Sequence, residues 1–251
     1  MFFLFFPTPS QAGMKIGVVG RTGSGKSSLM MLLMRLYEIE SGQILIDGEE
    51  ISKLALHRLR GSIGIVPQES IMFSGTLREN VDPFGHFTDD EIYDALDQVA
   101  LKDFALGLAG QLDSKVKEFG TNFSVGQRQL ICMARVLLKR PRILLLDEAT
   151  SSVDSETDSL LQRALQKRFN DCTVLTIAHR LNTVMTSDKI MVLDQGTLAE
   201  FDSPQNLLKG TGLWEGDVED PNAKIGMFAA MYKAYLANNQ ENTNKAATKA
   251  Q

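Results

Sequence analysis

Two cysteines, Cys132 and Cys172, are all the thiol chemistry that 251 residues offer. That is too few for a cysteine metal cluster or a disulfide framework, and it fits a reducing compartment with two core thiols. Long hydrophobic runs are missing as well. A membrane-spanning helix needs ~20 apolar residues, and the nearest candidate, Met1-Phe2-Phe3-Leu4-Phe5-Phe6, stops at Pro7. It lacks a basic leading region, and its apolar run is below the ~7–15 residues of a signal peptide, so the start reads as non-secretory. Positive charge is scarce: 26 Lys and Arg stand against 31 Asp and Glu, a net −5. That balance disfavours a general nucleic-acid surface. With 43% apolar and 23% charged residues, the class that remains is a globular protein, with core enough for one large domain or two small ones.

Strand and helix signals alternate along the chain. Lys15 to Gly20, with Ile16, Val18 and Val19, reads as a strand that breaks into a glycine-rich loop. Ser27 to Leu36 suits a helix. Gln43 to Asp47 reads as a strand closed by Asp47-Gly48, and Ser62 to Val66 as another ended by Pro67. From 69 to 139 strand signals vanish, and helices are expected over Asp89–Val99, Lys102–Leu108 and Val125–Leu138. Ile143-Leu144-Leu145-Leu146 is the continuous apolar run of a buried parallel strand, ending in two acids. Ser155 to Phe169 is amphipathic, with Leu160, Leu161, Ala164, Leu165 and Phe169 on one face. Thr173–Ala178 and Lys189–Asp194 close the set of strands. This alternation predicts an α/β fold with a mainly parallel sheet and a helical subdomain inserted at about 69–139. Residues 238–251, rich in Asn, Gln, Lys, Thr and Ala, read as a disordered tail. The expected organisation is an atypical segment at 1–13, one domain over 14–237, and that tail.

Chemistry concentrates at Gly20-Arg21-Thr22-Gly23-Ser24-Gly25-Lys26-Ser27, which fits G-x-x-x-x-G-K-[ST] between a strand and a helix. Glycines let backbone N–H groups turn inward around phosphate oxygens, and the positive end of the helix dipole adds to them. Lys26 is placed to reach the β- and γ-phosphates and the Ser27 hydroxyl to ligate Mg²⁺. Ser28 extends the phosphate cradle. Asp147 closes the apolar strand, where a carboxylate holds Mg²⁺ through water, and Glu148 follows it, placed to orient or deprotonate an attacking water. These residues alone describe a P-loop nucleoside triphosphatase.

Further residues narrow the reading. Asn122-Phe123-Ser124-Val125-Gly126-Gln127-Arg128-Gln129 resembles the signature motif of ATP-binding cassette (ABC) domains, usually LSGGQ. Gln68 resembles their Q-loop glutamine, Ser151-Ser152-Val153-Asp154 their D-loop and His179 their switch histidine. Val125 stands where the signature usually has glycine. The stretches FSVGQRQL and TLRENVDPF resemble the second nucleotide-binding domain of subfamily C transporters, the multidrug-resistance-associated type. The resemblance implies a P-loop core with an antiparallel β subdomain beside it. It implies ATP with Mg²⁺, held by Ser27, Asp147 and Gln68. It also implies that Ser124, Gly126 and Gln127 meet the γ-phosphate on a partner domain, and that His179 and Gln68 act beside Glu148 and Lys26 in hydrolysis. Its partners would be a second cassette in a head-to-tail dimer and the transmembrane domains of a transporter, at the cytoplasmic face of a membrane, with export the expected direction and no nucleic acid. His57 and His86 match nothing and are assigned to solvated surface.

The start departs from the family. Such domains have antiparallel strands and an adenine-stacking aromatic well upstream of the phosphate loop, whereas Phe2, Phe3, Phe5 and Phe6 sit at the wrong distance. The β subdomain is therefore expected to be truncated, with strand 43–47 short of neighbours. Two other readings stand beside the transporter: a catalytically weak ATP-binding module or fragment, and a soluble ABC ATPase acting on DNA or ribosomes. Net acidity and the subfamily C motifs oppose the latter.

Overall fold

The computed structural model describes residues 12–147, 165, 168–178, 181–210 and 226–237. Its main sheet has six strands in the order β10-β9-β1-β8-β7-β4: β1 is Lys15–Val19, β4 Ile63–Val66, β7 Ile143–Asp147, β8 Thr173–Ile177, β9 Lys189–Asp194 and β10 Thr197–Asp202. β1 runs parallel to β9, and β4 parallel to β7, while β10 returns antiparallel to β9. Two-residue pairs, β2 (Leu45–Ile46) with β3 (Glu49–Glu50) and β5 (Gly75–Thr76) with β6 (Lys115–Val116), are antiparallel. The chain divides into two compact units, one built on residues 14–53 and 176 onward, the other on 54–175.

In the first unit, β1 and β9 are apolar almost throughout, and Ile16, Val18, Val19, Ile190, Met191 and Val192 are buried. Helix α1 (Lys26–Leu33) is shorter than the expected 27–36. It ends at Leu33 with Met34 as its cap, and Arg35, with a positive φ of 50°, turns the chain off the helical path. The strand expected over 43–47 shrinks to β2. Asp47 (φ 51°) and Gly48 (φ 81°) form a tight turn of the kind that reverses a hairpin, and β3 follows at once. β10 was not expected from the sequence. It follows the Gln195-Gly196 turn and carries an irregularity between Leu198 and Glu200. A bulge there re-aims the next side chain, and Glu200 is the one buried residue of β10. Its carboxylate accepts from the amides of Met227 (2.5 Å) and Phe228 (3.0 Å), at the start of a helix over 227–237. Phe228 of that helix is buried with Val19, Leu181, Val184, Ile190, Val192 and Leu207.

The second unit packs helices α3 (Leu77–Val81), α4 (Asp89–Gln98), α5 (Lys102–Gly107) and α6 (Val125–Lys139) with β4 and β7 around one core. Thr76, Thr88 and Ser124 each cap a helix through a reciprocal bond with Glu79, Glu91 and Gln127, which satisfies two of the amides that a helix start leaves unpaired. Arg78 on α3 reaches Asp89 on α4 at 2.6 Å. Helix α2 (Leu56–Ser62), unforeseen in sequence, runs directly into β4. The Lys139 ammonium closes that junction on the carbonyls of Arg60 and Ile63. Strand signals do not vanish over 69–139, since the β5–β6 pair lies inside it. Phe169 is buried, and Leu165 packs against the core. The rest of the apolar face expected over 155–169 lies outside the described residues, as do 1–11 and 238–251. Cys132 and Cys172 are buried, as core thiols should be, and neither forms a disulfide among the described residues. His57 and His86 are exposed.

Candidate functional site

β1 delivers the glycine-rich loop and α1 receives it. Gly20 has no room for a side chain: a Cβ there would stand 2.3 Å from the Leu193 carbonyl oxygen and 2.5 Å from Ser24 Oγ. Gly23 (φ 81°) and Gly25 (φ 103°) hold left-handed backbone, and Gly25 caps α1. The Ser24 amide donates to Arg21 O at 3.1 Å, and Gly196 N donates to Ser24 O at 3.1 Å, which ties the loop to the turn after β9. Lys26 is 6% exposed. Its ammonium donates to the carbonyls of Gly20 (2.8 Å) and Arg21 (2.9 Å), so it lies curled within the loop. Leu29 N makes the first bond onto the cap residue, at 3.0 Å. The amides of Lys26, Ser27 and Ser28 precede it, and such first-turn donors are what a helix offers to an anion. Arg21, Thr22, Gly23 and Ser27 are exposed along the rim, and Ser28 is half-buried.

Ser24 Oγ is buried without a hydrogen-bond partner among the described residues. A buried hydroxyl left unpaired is unfavourable, and an oxygen-rich ligand in the loop would relieve it. The donor set therefore fits a polyphosphate: left-handed glycines, first-turn amides, an ammonium and an orphan hydroxyl.

Gln68, Asp147 and Ser124 lie in the second unit. Gln68 is exposed, two residues beyond the end of β4. Asp147 is the last residue of β7 and half-buried, after the fully enclosed Leu144 and Leu145. A serine hydroxyl, an amide oxygen and a carboxylate are hard oxygen donors, the class that suits Mg²⁺. Ser124 opens α6: Gln127 N donates to its Oγ at 3.1 Å, and its own amide donates to Gln127 Oε1 at 2.9 Å. Gln127 thus spends its side chain on the cap, and the first-turn amides of Val125 and Gly126 face outward from the helix start. Glu148, His179 and the stretch Ser151–Asp154 lie outside the described residues.

The sequence reading took Asn122 only as part of the signature resemblance and passed over Lys115, Lys117 and Phe119, which with it build the approach to α6. Asn122 takes Lys117 N (2.9 Å) and donates to Lys115 O (3.0 Å), closing the loop before Ser124. Phe119 there is 71% exposed with φ 54°, and its carbonyl accepts from Arg128 at 3.2 Å.

A family model described as ABC transporter matches residues 9–151. The chain is 56% identical to ABC transporter C family member 3 of Dictyostelium discoideum over 207 residues, 82% of this chain and 15% of that protein. It is 50% identical to ATP-binding cassette sub-family C member 3 of Mus musculus over 210 residues, 84% of this chain and 14% of that protein. The chain therefore spans about one seventh of the length of these relatives. Among solved structures, a bacterial Atm1-family ABC exporter with ATP bound superposes with a TM-score of 0.78 at 36% identity, covering 89% of this chain and 37% of that one.

Proposed function

Because this chain belongs to the ABC transporter family, we propose that it is a nucleotide-binding domain that hydrolyses ATP to ADP and phosphate and so powers export across a membrane. The observation that carries the proposal is the phosphate loop, with its left-handed Gly23 and Gly25, its buried Lys26 and its orphaned Ser24 hydroxyl. In this reading Gly20 through Ser28 enclose the phosphates with backbone amides. Lys26 gives up its two loop carbonyls for the β- and γ-oxygens. Ser27, Asp147 and Gln68 would hold Mg²⁺, which when bound neutralises phosphate charge. Glu148 orients a water and accepts its proton as the water oxygen bonds to the γ-phosphorus and the bond to the β-bridging oxygen breaks. His179 contacts the γ-phosphate. Positioning and electrostatics supply most of the rate in such transfers.

Head-to-tail pairing with a second cassette would bring Ser124 and Gly126, at the start of α6, to the γ-phosphate held by the partner. Transmembrane domains would receive the work at the cytoplasmic face. Among the described residues no helix is long and apolar enough to cross a membrane. The test is titration of ATP with Mg²⁺. Lys26→Ala removes charge-assisted bonds worth about 1.5–3 kcal/mol, so affinity should fall roughly ten- to a hundredfold in a protein whose circular dichroism is unchanged. Equal affinity in both proteins would sink the assignment.

A further inference from the structure

The phosphate loop rests on a turn that lies far from it in sequence. Gln195 and Gly196 join β9 to β10, and their positive φ values of 46° and 81° suit the tight hairpin turn whose two central residues are both left-handed. Asp194 and Thr197 flank the turn as a register pair, and Thr197 Oγ1 donates to Asp194 O at 2.8 Å. Such a turn closes through its flanking pair and leaves the amide of its second central residue outside the ladder. That amide, Gly196 N, donates to Ser24 O at 3.1 Å. At the other end of the loop, a Cβ on Gly20 would stand 2.3 Å from Leu193 O. Residues 193–196 therefore support the loop at both Gly20 and Ser24, and all of these residues belong to the first unit.

The Gly196 bond acts on one particular peptide. A trans peptide is planar and carries its carbonyl and its N–H on opposite sides. Holding the Ser24 carbonyl toward Gly196 thus turns the Gly25 N–H away from the hairpin. Gly25 has no Cβ and sits at φ 103°, so its own sterics do little to fix that orientation. A flip of the Ser24–Gly25 peptide would put a carbonyl oxygen where the N–H stood, and a carbonyl oxygen repels an anion. We propose that Gly196 is a positioning residue for the phosphate loop: its N–H locks the Ser24–Gly25 peptide so that the Gly25 N–H faces the phosphates of the nucleotide. This rests on the proposed binding of ATP by the loop. Gly196 touches no ligand; it sets the fraction of molecules whose loop is competent to bind, and the apparent affinity scales with that fraction.

An ester in place of the Gln195–Gly196 amide tests the lock in the full chain, because it exchanges the Gly196 N–H for an oxygen and leaves every side chain intact. Titration with ATP and Mg²⁺, and with inorganic tripolyphosphate and Mg²⁺, should show the same loss of affinity, roughly two- to tenfold, the worth of one neutral hydrogen bond. Affinity equal to the wild type overturns the proposal. So does a loss for ATP alone, which would place the effect at the base or the sugar. The ligand-free protein supplies a reading that a general weakening of the turn would not: the Gly25 amide NMR signal should shift or broaden as its peptide begins to flip, and an unmoved signal refutes the lock. Should the ester protein not fold, the wild type decides. Ligand binding and the Gly196 bond favour each other reciprocally, so saturating tripolyphosphate should slow hydrogen exchange of the Gly196 amide, and unchanged exchange overturns the proposal. If the wild type binds neither ATP nor tripolyphosphate, the proposed function fails, while the Gly25 signal still judges the lock.

Discussion

Replacing Glu200 should release the helix over 227–237. The carboxylate is 3% exposed and accepts two backbone amides at the helix start, 2.5 and 3.0 Å away. Gly226 makes room for it, since a Cβ there would lie 2.8 Å from Glu200 Oε1. Bonds to a charged acceptor are worth about 1.5–3 kcal/mol each, and the negative charge sits at the positive end of the helix dipole. Against this stands the carboxylate's own burial, which costs several kcal/mol and is relieved on truncation. The balance for Glu200→Ala is a loss of about 2–4 kcal/mol. Glu200→Gln should lose less, since one acceptor oxygen remains. Urea unfolding reads the total. Amide hydrogen exchange shows where it falls: faster exchange should concentrate in 227–237, because Glu200 accepts directly from the first amides of that helix. Stability within about 0.5 kcal/mol of the wild type, with protection of 227–237 unchanged, would refute the reasoning.

Two further outcomes follow from the same geometry. Lys189 first, then Asn206 and the Ser203 amide, hold the Asp202 carboxyl below its usual range; its folded-state pKa is the lower one, so its contribution is present at neutral pH and disappears as pH falls through that value. The stability gap between wild type and Asp202→Asn should therefore shrink on acidification, and a gap independent of pH in urea titrations would contradict it. Glu148→Gln should form a dimer with ATP and Mg²⁺, and Ser124→Arg, which places bulk and charge at the start of α6, should abolish it, as read by light scattering. A dimer insensitive to both ATP and Ser124→Arg would count against head-to-tail pairing.

What the sequence revealed depended on how local the signal was. The phosphate loop was legible because its glycines, lysine and serine are adjacent and each has a stated backbone or charge role. The apolar runs before Gly20 and Asp147 gave β1 and β7 for the same reason. β10 escaped notice because Thr197–Asp202 has no clean alternation, and its bulge turns Glu200 inward. The helix over 227–237 carried a readable stripe in Phe228, Met231, Tyr232 and Tyr235, but its cap is a glutamate 27 residues upstream. Its start therefore had no local signature. α3 was announced by Thr76 and Glu79, a capping pair three residues apart, and went unread because the helix is only one turn long. Gly196 could be read only after the structure showed that its amide meets Ser24 O.

Phosphate release from ATP by the full chain, with Mg²⁺, is the direct test of the central claim. The account predicts steady turnover by the wild type. Turnover should fall about 10²–10⁴-fold in Glu148→Gln, the usual loss when a general base is removed, while ATP still binds. No release by the wild type, or equal release by both proteins in clean preparations, would contradict it.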